Sequence, residues 1–361
     1  MRRNLSSDWS SVGRYATHLF DEEFQSIIKS HDVSQPLFLY LAHLAVHAGN
    51  YETPLQATVS TIDRFKHILP LEKRLYAGML WELDQSVGRL MKSLKDKGIL
   101  DNTIIVFLSD NGAATQGLHK NTGSNWPLKG EKATPWEGAL RTVSFVWSRS
   151  LKQRRKVLNN MMHISDWLPT LYTAAGGEIE NLGAIDGLNQ WDYLNGSPCQ
   201  PRREILHNID SIFGYSAIRI GKYKYVNGSS LLGFLDTWSG EPDGTRTFYN
   251  TSLVLDSQVN TLIGDLTEDD ILTSRKKATV KCPDTSTVVC RPLREPCLFD
   301  LEADPCERRN LYQKRRQFSK EFEKRIAEFR GVASPPLNKP EEPEADPARF
   351  NGTWTNWRDY P

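Results

Sequence analysis

Nowhere in these 361 residues is there an apolar run approaching the roughly 18 residues a membrane-crossing helix requires. The opening stretch, Met1-Arg2-Arg3-Asn4-Leu5-Ser6-Ser7-Asp8-Trp9, also lacks the apolar core of a signal peptide. Charge of one sign is not in excess: 45 Lys and Arg stand against 44 Asp and Glu, for a formal net charge of +1. That balance argues against nucleic acid or an anionic membrane as the main partner. No cysteine occurs before Cys199, and none shows C-x-x-C zinc spacing. There is no internal repeat of the kind that builds a solenoid.

The cysteines that are present, Cys199, Cys282, Cys290, Cys297 and Cys306, all lie in the second half, four of them in one turn-rich stretch. Disulfides in an oxidising compartment are the expected explanation. The odd total leaves one thiol free, or paired with a cysteine outside the chain. Sequons at Asn4, Asn195, Asn227, Asn250 and Asn351 fit secretion, Asn195 least because Pro198 follows Ser197. The body therefore reads as secretory while the start does not.

The length suffices for a full core and suggests two domains. Pro36 to Ala42 is a continuous apolar run, expected to be a buried strand. Residues 71–97 repeat Leu75, Met79, Leu83, Val87, Leu90, Met91 and Leu94 at helical spacing, with Lys95 and Lys97 near the negative end of the dipole and Gly98 as the stop. Thr103 to Leu108 is rich in β-branched residues and reads as a buried strand of a parallel sheet, completing a strand–helix–strand unit. Val143 to Trp147 offers another strand. His163-Ile164-Ser165-Asp166-Trp167-Leu168-Pro169 opens a helix, with Ser165 as the expected cap and Gly176-Gly177 as the close. Beyond about residue 205 the alternation of residues 216–228 predicts a hairpin, and a last helix is expected over 314–330, stopping at Gly331. The tail, 335–361, is Pro- and Glu-rich and is expected to lie extended.

Asp110-Asn111-Gly112 sits at the C-terminal end of the 103–108 strand, where open α/β sheets place ligands. A carboxylate and an amide oxygen there, with lysines soon after, suggest hard-metal ligands beside an anion, as in a hydrolase for a charged ester. Alone, the tripeptide reads equally well as a turn. His43 and His47 have the i, i+4 spacing of a zinc helix, but the segment reads as a strand end and lacks the glutamate of H-E-x-x-H.

Taken together, the segments resemble the sulfatase family, most closely its arylsulfatase B, I and J group. The matching stretches are Pro36 to Leu41 with Val46-His47, Ser109-Asp110-Asn111-Gly112, Asn125-Trp126-Pro127-Leu128-Lys129-Gly130-Glu131-Lys132 and Trp136-Glu137-Gly138. His163 to Leu171, Leu206 to Asp210, Pro296 to Asp300 and Asp304 to Arg308 extend the likeness along nearly the whole chain. The resemblance implies an alkaline-phosphatase-like α/β sandwich, N-terminally truncated here. Residues 1–205 would be the remainder of the catalytic domain, 206–334 a smaller antiparallel-sheet-plus-helix domain, and 335–361 the tail.

The resemblance further implies that Asp110 and Asn111 are calcium ligands, that His47 contacts the sulfate or protonates the leaving oxygen, and that Lys132 holds the sulfate. Lys129 would replace Lys132 if the register slips. Sulfatases carry a C-x-P-x-R cysteine, oxidised to formylglycine, before these motifs, together with paired aspartates. Cys199-Gln200-Pro201-Arg202-Arg203 and Cys290-Arg291-Pro292-Leu293-Arg294 have that pattern but come after the calcium motif, and neither has small residues at the variable positions. Ala113 stands where relatives commonly have glycine, and the loop 114–124, with His119 and Lys120, is longer than its counterpart in arylsulfatase B. The implied activity is sulfate-ester hydrolysis, on aryl sulfates or glycosaminoglycan-like glycans, in the lysosome or outside the cell. This chain alone is expected not to turn over. The rival reading is a non-catalytic protein that binds sulfated glycans or pairs with a full-length sulfatase. A phosphoester hydrolase of the same superfamily fits less well, because the Trp-Pro-Leu-Lys-Gly and Trp-Glu-Gly segments point to sulfatases.

Overall fold

The computed structural model describes residues 1–4, 6–115, 121–199, 201–239, 249–283 and 287–359. In its first half the helix Ala16–Ser30 packs along the long helix Leu71–Asp96. Phe24 and Ile28 of the first meet Met91 and Leu94 of the second, with Leu100 beneath them. The apolar spacing read from sequence thus produces the helix, and Gly98, at φ +78°, lets the chain turn away. Polar residues also lie on the buried face. Glu82 accepts from His18 at 2.9 Å and Thr61 at 2.5 Å, and Asp21 accepts from Arg89 at 2.8 Å and from Ser86.

Two expectations about strands do not hold. Ile105–Leu108 pairs antiparallel with Ser144–Trp147, in the register Ile105↔Trp147 to Leu108↔Ser144, and all four of its residues are half-buried. A run of apolar residues reports burial and leaves strand direction open. Direction follows from the connection, and a parallel return needs a crossover element. Here the chain returns through loops and the four-residue helix Glu137–Leu140. Pro36 to Ala42 forms no strand among the described residues, so the strand–helix–strand unit is not formed there. Leu39 and Leu41 turn inward against the Phe24 cluster, while Phe38 and Tyr40 are 80% and 82% exposed. The alternation of an extended chain is present without a paired neighbour.

Further along, His163 and not Ser165 is the cap. Its side chain accepts from the Ser165 amide, and Asp166 accepts from the His163 amide at 2.9 Å, a reciprocal capping box. The helix Trp167–Ala174 follows, and Gly176 at φ +87° ends it. Asp166, fully buried, is gripped by Arg202 from 2.8 Å, which ties this helix to the entry of the second half.

That half is built on a four-stranded antiparallel sheet of Glu204–Asp210, Tyr215–Ile220, Tyr223–Asn227 and Cys297–Asp300, neighbours in that order. The period of two sorts its side chains. Ile218, Tyr225 and Leu298 face the helix Arg316–Val332, where they pack on Phe322 and Ile326. The helix starts two residues later than expected and runs through Gly331 to Val332. Ala217, Val226, Cys297 and Phe299 face the other way and enclose Trp136. Lys224, between Tyr223 and Tyr225, lies on this second face with no solvent contact, 3.0 Å from Glu137 and 2.9 Å from Glu307. Disulfides join Cys282 to Cys306 and Cys290 to Cys297, and Cys199 is the free, exposed thiol. The tail coils into short turns at Pro343–Ala345, Pro347–Phe350 and Trp357–Asp359. No helix is long and apolar enough to cross a membrane among the described residues.

Phe322→Ala removes an almost fully buried ring stacked on Tyr225, and should lower unfolding stability by about 3–5 kcal/mol in urea titration. Burial pushes the Glu307 carboxyl up to about 7, with Lys224 opposing and Glu137 adding. The folded chain therefore holds a proton that the unfolded chain, with Glu307 near 4.5, releases earlier. The stability contributed by this group is full below about 4.5 and is lost as pH rises through about 7. Glu307→Gln should accordingly gain stability relative to the parent between pH 5 and pH 8.5. Parallel stability profiles for the two proteins would contradict this assignment.

Candidate active site

The strand Ile105–Leu108 delivers the chain into Ser109-Asp110-Asn111-Gly112, and this loop is fastened to the segment 125–139 by backbone contacts. The Gly112 amide donates to Ala139 O at 2.8 Å. A Cβ on Gly112 would lie 1.8 Å from the Gly138 carbonyl oxygen, so no larger residue fits. Asn125 acts as a clamp. Its Oδ1 accepts from the Ala113 amide at 2.8 Å, and its Nδ2 donates to Ala113 O at 2.8 Å and Gly130 O at 3.2 Å. The Lys132 amide donates to the same Ala113 carbonyl at 3.2 Å. Asn111 donates its own Nδ2 to Gly112 O at 2.8 Å, which directs its amide oxygen away from the loop backbone. Asp110 is exposed.

Lys132 meets His47 across 85 residues of sequence: Nζ lies 3.1 Å from Nε2. The other ring nitrogen, Nδ1, is 2.7 Å from the carbonyl oxygen of Ala48 and donates to it, which leaves Nε2 to accept from the ammonium. The His47 loop is held in turn by Asn121, whose Nδ2 donates to Val46 O at 3.2 Å. Neither His43 nor His47 lies on a helix, which removes the zinc-helix reading. His43 instead lies 3.3 Å from the Ser86 hydroxyl, beside Asp21 and Arg89.

Lys129 has a different fate from Lys132. It is 3% exposed, with Nζ 3.4 Å from the ring centre of Trp136 and 5.2 Å from that of Trp238. Burial lowers its pKa, with Glu307 and Asp236 opposing. Trp136 Nε1 donates to Asp236 at 2.6 Å and Trp238 Nε1 to Cys306 O at 2.8 Å, so Lys129 is enclosed in a fixed aromatic frame. Of the two lysines, Lys132 is the one that reaches His47.

Asp110 and Asn111 line a cleft of about 1560 Å³, together with His163 and His207. His47 and Lys132 do not line it, although Ala133 and Thr134 beside them do. The structure thus joins His47 to Lys132 directly and joins Lys132 to the Asp110 loop through backbone. His207 sits where the register shifts between Leu206 and Asn208, a bulge of the kind that re-aims a side chain. Burial, reinforced by Lys224, drives its pKa down to about 3, so it is a neutral imidazole at ordinary pH. Sequence reading named His207 only within the Leu206–Asp210 stretch and Lys129 only as the alternative to Lys132, and gave neither its surroundings. The Trp136-Glu137-Gly138 motif signalled them, but their partners are far along the chain. His119 and Lys120 lie outside the described residues.

Among the described residues no three His, Cys, Asp or Glu side chains cluster as a metal site. Asp110 and Asn111 offer hard oxygen donors of the type calcium takes, but two of the six to eight it requires. Of the two C-x-P-x-R patterns, only that of Cys290 has its cysteine bonded, to Cys297, while Cys199 is a free, exposed thiol whose neighbour Arg202, at a variable position, holds Asp166.

Residues 2–177 match the family model described as Sulfatase. The chain is 32% identical to arylsulfatase J of Mus musculus over 98% of its own length and 55% of that protein. It is 31% identical to N-acetylgalactosamine-6-sulfatase of Homo sapiens over 50% of its length and 35% of that protein. A crystal structure of a sulfatase from Pseudoalteromonas sp. superposes with a TM-score of 0.55 at 21% identity, covering 90% of this chain and 54% of that one. That likeness shows the alkaline-phosphatase-like α/β fold. The chain spans about half the length of the curated relatives it matches. With the family match over residues 2–177, an arylsulfatase J alignment running almost end to end, and the shared fold, the chain belongs to the sulfatase family.

Proposed function

We propose that this chain carries the sulfate-holding part of a sulfuric ester hydrolase whose substrate is a sulfated glycan or an aryl sulfate. The observation that carries the reading is the Lys132–His47 pair, 3.1 Å apart and braced against the Asp110-Asn111 loop. A lysine ammonium is a compact point charge suited to a sulfate oxygen. An imidazole accepting from that ammonium sits where it can exchange a proton with it, and so can serve a leaving alcohol oxygen. Asp110 and Asn111 would hold calcium, whose chemistry at that place is to polarise sulfate oxygens. Similarity to arylsulfatase J and N-acetylgalactosamine-6-sulfatase supports aryl sulfates and sulfated amino sugars as the substrate class.

The chain by itself is proposed to bind sulfate esters without cleaving them: Cys290 is locked to Cys297, and Cys199 follows the Asp110-Asn111 motif, whereas sulfatases carry their nucleophile before it. The two disulfides and the exposed sequon asparagines Asn4, Asn227, Asn250 and Asn351 support a secretory route, to the lysosome or beyond the cell.

Calorimetric titration with N-acetylgalactosamine 6-sulfate should show binding to the parent chain that weakens about tenfold or more in Lys132→Gln and in His47→Gln. That is the loss of one charge-assisted contact of about 1.5–3 kcal/mol. Equal affinities in properly folded variants would remove both residues from the reading. With calcium and an aryl sulfate, the purified chain should release no phenol, and calcium-dependent release would overturn the binding-only proposal.

A further inference from the structure

The cleft that Asp110 and Asn111 line is larger than the roughly 300–1,000 Å³ of a small-molecule pocket. Its lining is also unbalanced in charge, with eight Arg or Lys side chains against five Asp or Glu, in a chain whose net charge is only +1. Two of those carboxylates are already spoken for: Glu137 on Lys224, and Asp265 on Arg154 and Arg155 at 3.8 and 3.3 Å.

Five of the eight cations, Arg154, Arg155, Lys156, Lys277 and Lys281, come from two separated segments that the fold draws together. One is Lys152-Gln153-Arg154-Arg155-Lys156, exposed throughout. The other is the helix Glu268–Ala278, with Arg275, Lys276 and Lys277 in its last turn and Lys281 just beyond. Arg155 joins them, 2.9 Å from Asp270 in the first turn of that helix, while Asp265 takes Arg154 and Arg155 together. Lys152, Lys156, Lys277 and Lys281 have no carboxylate partner among the described residues.

We propose that this basic rim is an exosite for a polymeric sulfated glycan, holding several sulfates of one chain while another reaches the Asp110 loop. The choice of a sulfated polymer rests on the sulfate-ester reading above. Single-stranded nucleic acid stacks its bases on aromatic platforms, and although Phe145, Trp147, Trp167, Tyr193 and Tyr215 line the cleft, the basic rim itself offers none. Neither segment carries an aromatic residue, and Tyr249 nearby is covered by the Arg275 guanidinium at 3.8 Å.

The test uses the full chain and three probes: dextran sulfate of defined length, unsulfated dextran, and oligothymidylate of equal charge. Dextran sulfate should bind, more weakly as salt rises, and unsulfated dextran should not. Replacing Lys152, Lys156, Lys277 and Lys281 together by Gln should weaken dextran sulfate binding at least tenfold. Replacing Lys314, Lys320, Lys324 and Lys339 by Gln removes the same charge elsewhere and should change it less than twofold. Equal effects of the two sets, or no effect of the first, would overturn the exosite. Oligothymidylate binding as tight as dextran sulfate would overturn its assignment to glycans. Two substitution sets separate the two readings: Lys132→Gln should lose the monosaccharide sulfate, whereas the rim substitutions should leave monosaccharide binding within twofold. Monosaccharide binding that survives Lys132→Gln, beside a polymer loss confined to the rim variant, would sink the sulfate-holding site and leave the rim standing.

Discussion

One ammonium group without solvent contact, Lys224 Nζ, lies between the carboxylates of Glu137 and Glu307 at 3.0 and 2.9 Å, and the two halves of the chain are registered by it. Glu137 belongs to the Trp-Glu-Gly motif of the first half, Lys224 to a central strand of the sheet, and Glu307 to the turn that follows the last strand. The Glu137 amide also donates to Glu307 at 2.8 Å. Burying charges is costly unless each finds its partner, and removing one member leaves the others stranded. One cation between two acids makes the two unequal. Burial drives Glu307 up to about 7, while at Glu137 burial is opposed by Lys224, His207 and Arg219, which together keep that carboxyl below its ordinary value. Any other docking of the sheet onto the first half would separate these groups.

The candidate site inherits its rigidity from that arrangement. Trp136, next to Glu137, is buried in the sheet face and edge-on to Phe299 at 5.9 Å. Lys129 lies over the same indole, Nζ 3.4 Å from its ring centre, which fastens the segment 125–139 at a second point. Gly112, Asn125 and the Lys132 amide then connect it to the Asp110 loop. Lys132 is left half-buried, with its ammonium on His47. A sulfate ester needs fixed charges at fixed places, and a loop pinned at both ends costs little to order on binding.

Several elements could be read along the chain because their information is local. The spacing of Met79, Leu83, Met91 and Leu94 forms a helix wherever it is placed. The alternation from Tyr215 to Asn227 forms a hairpin, and Gly98 and Gly176 stop helices through their positive φ. The pairing direction of Ile105–Leu108 was not legible, because it depends on how residues 109–143 return. Pro36 to Ala42 shows the same limit: its alternation is written in the residues, while its pairing depends on a neighbour. The Ser165 cap was displaced by His163, since a histidine nitrogen can accept from an amide as a hydroxyl does.

By itself the sequence determined the family, the identity of the four candidate residues and the helical and hairpin segments. Each of those is carried by residue type and short-range spacing. Only the tertiary structure decided that Lys129 is enclosed by Trp136 and Trp238 while Lys132 reaches His47, because the two differ in what folds over them rather than in their neighbours in the chain. It also decided that Lys224 is a buried cation and that two basic segments over a hundred residues apart share one cleft. These depend on contacts between residues remote in sequence, which no local pattern encodes.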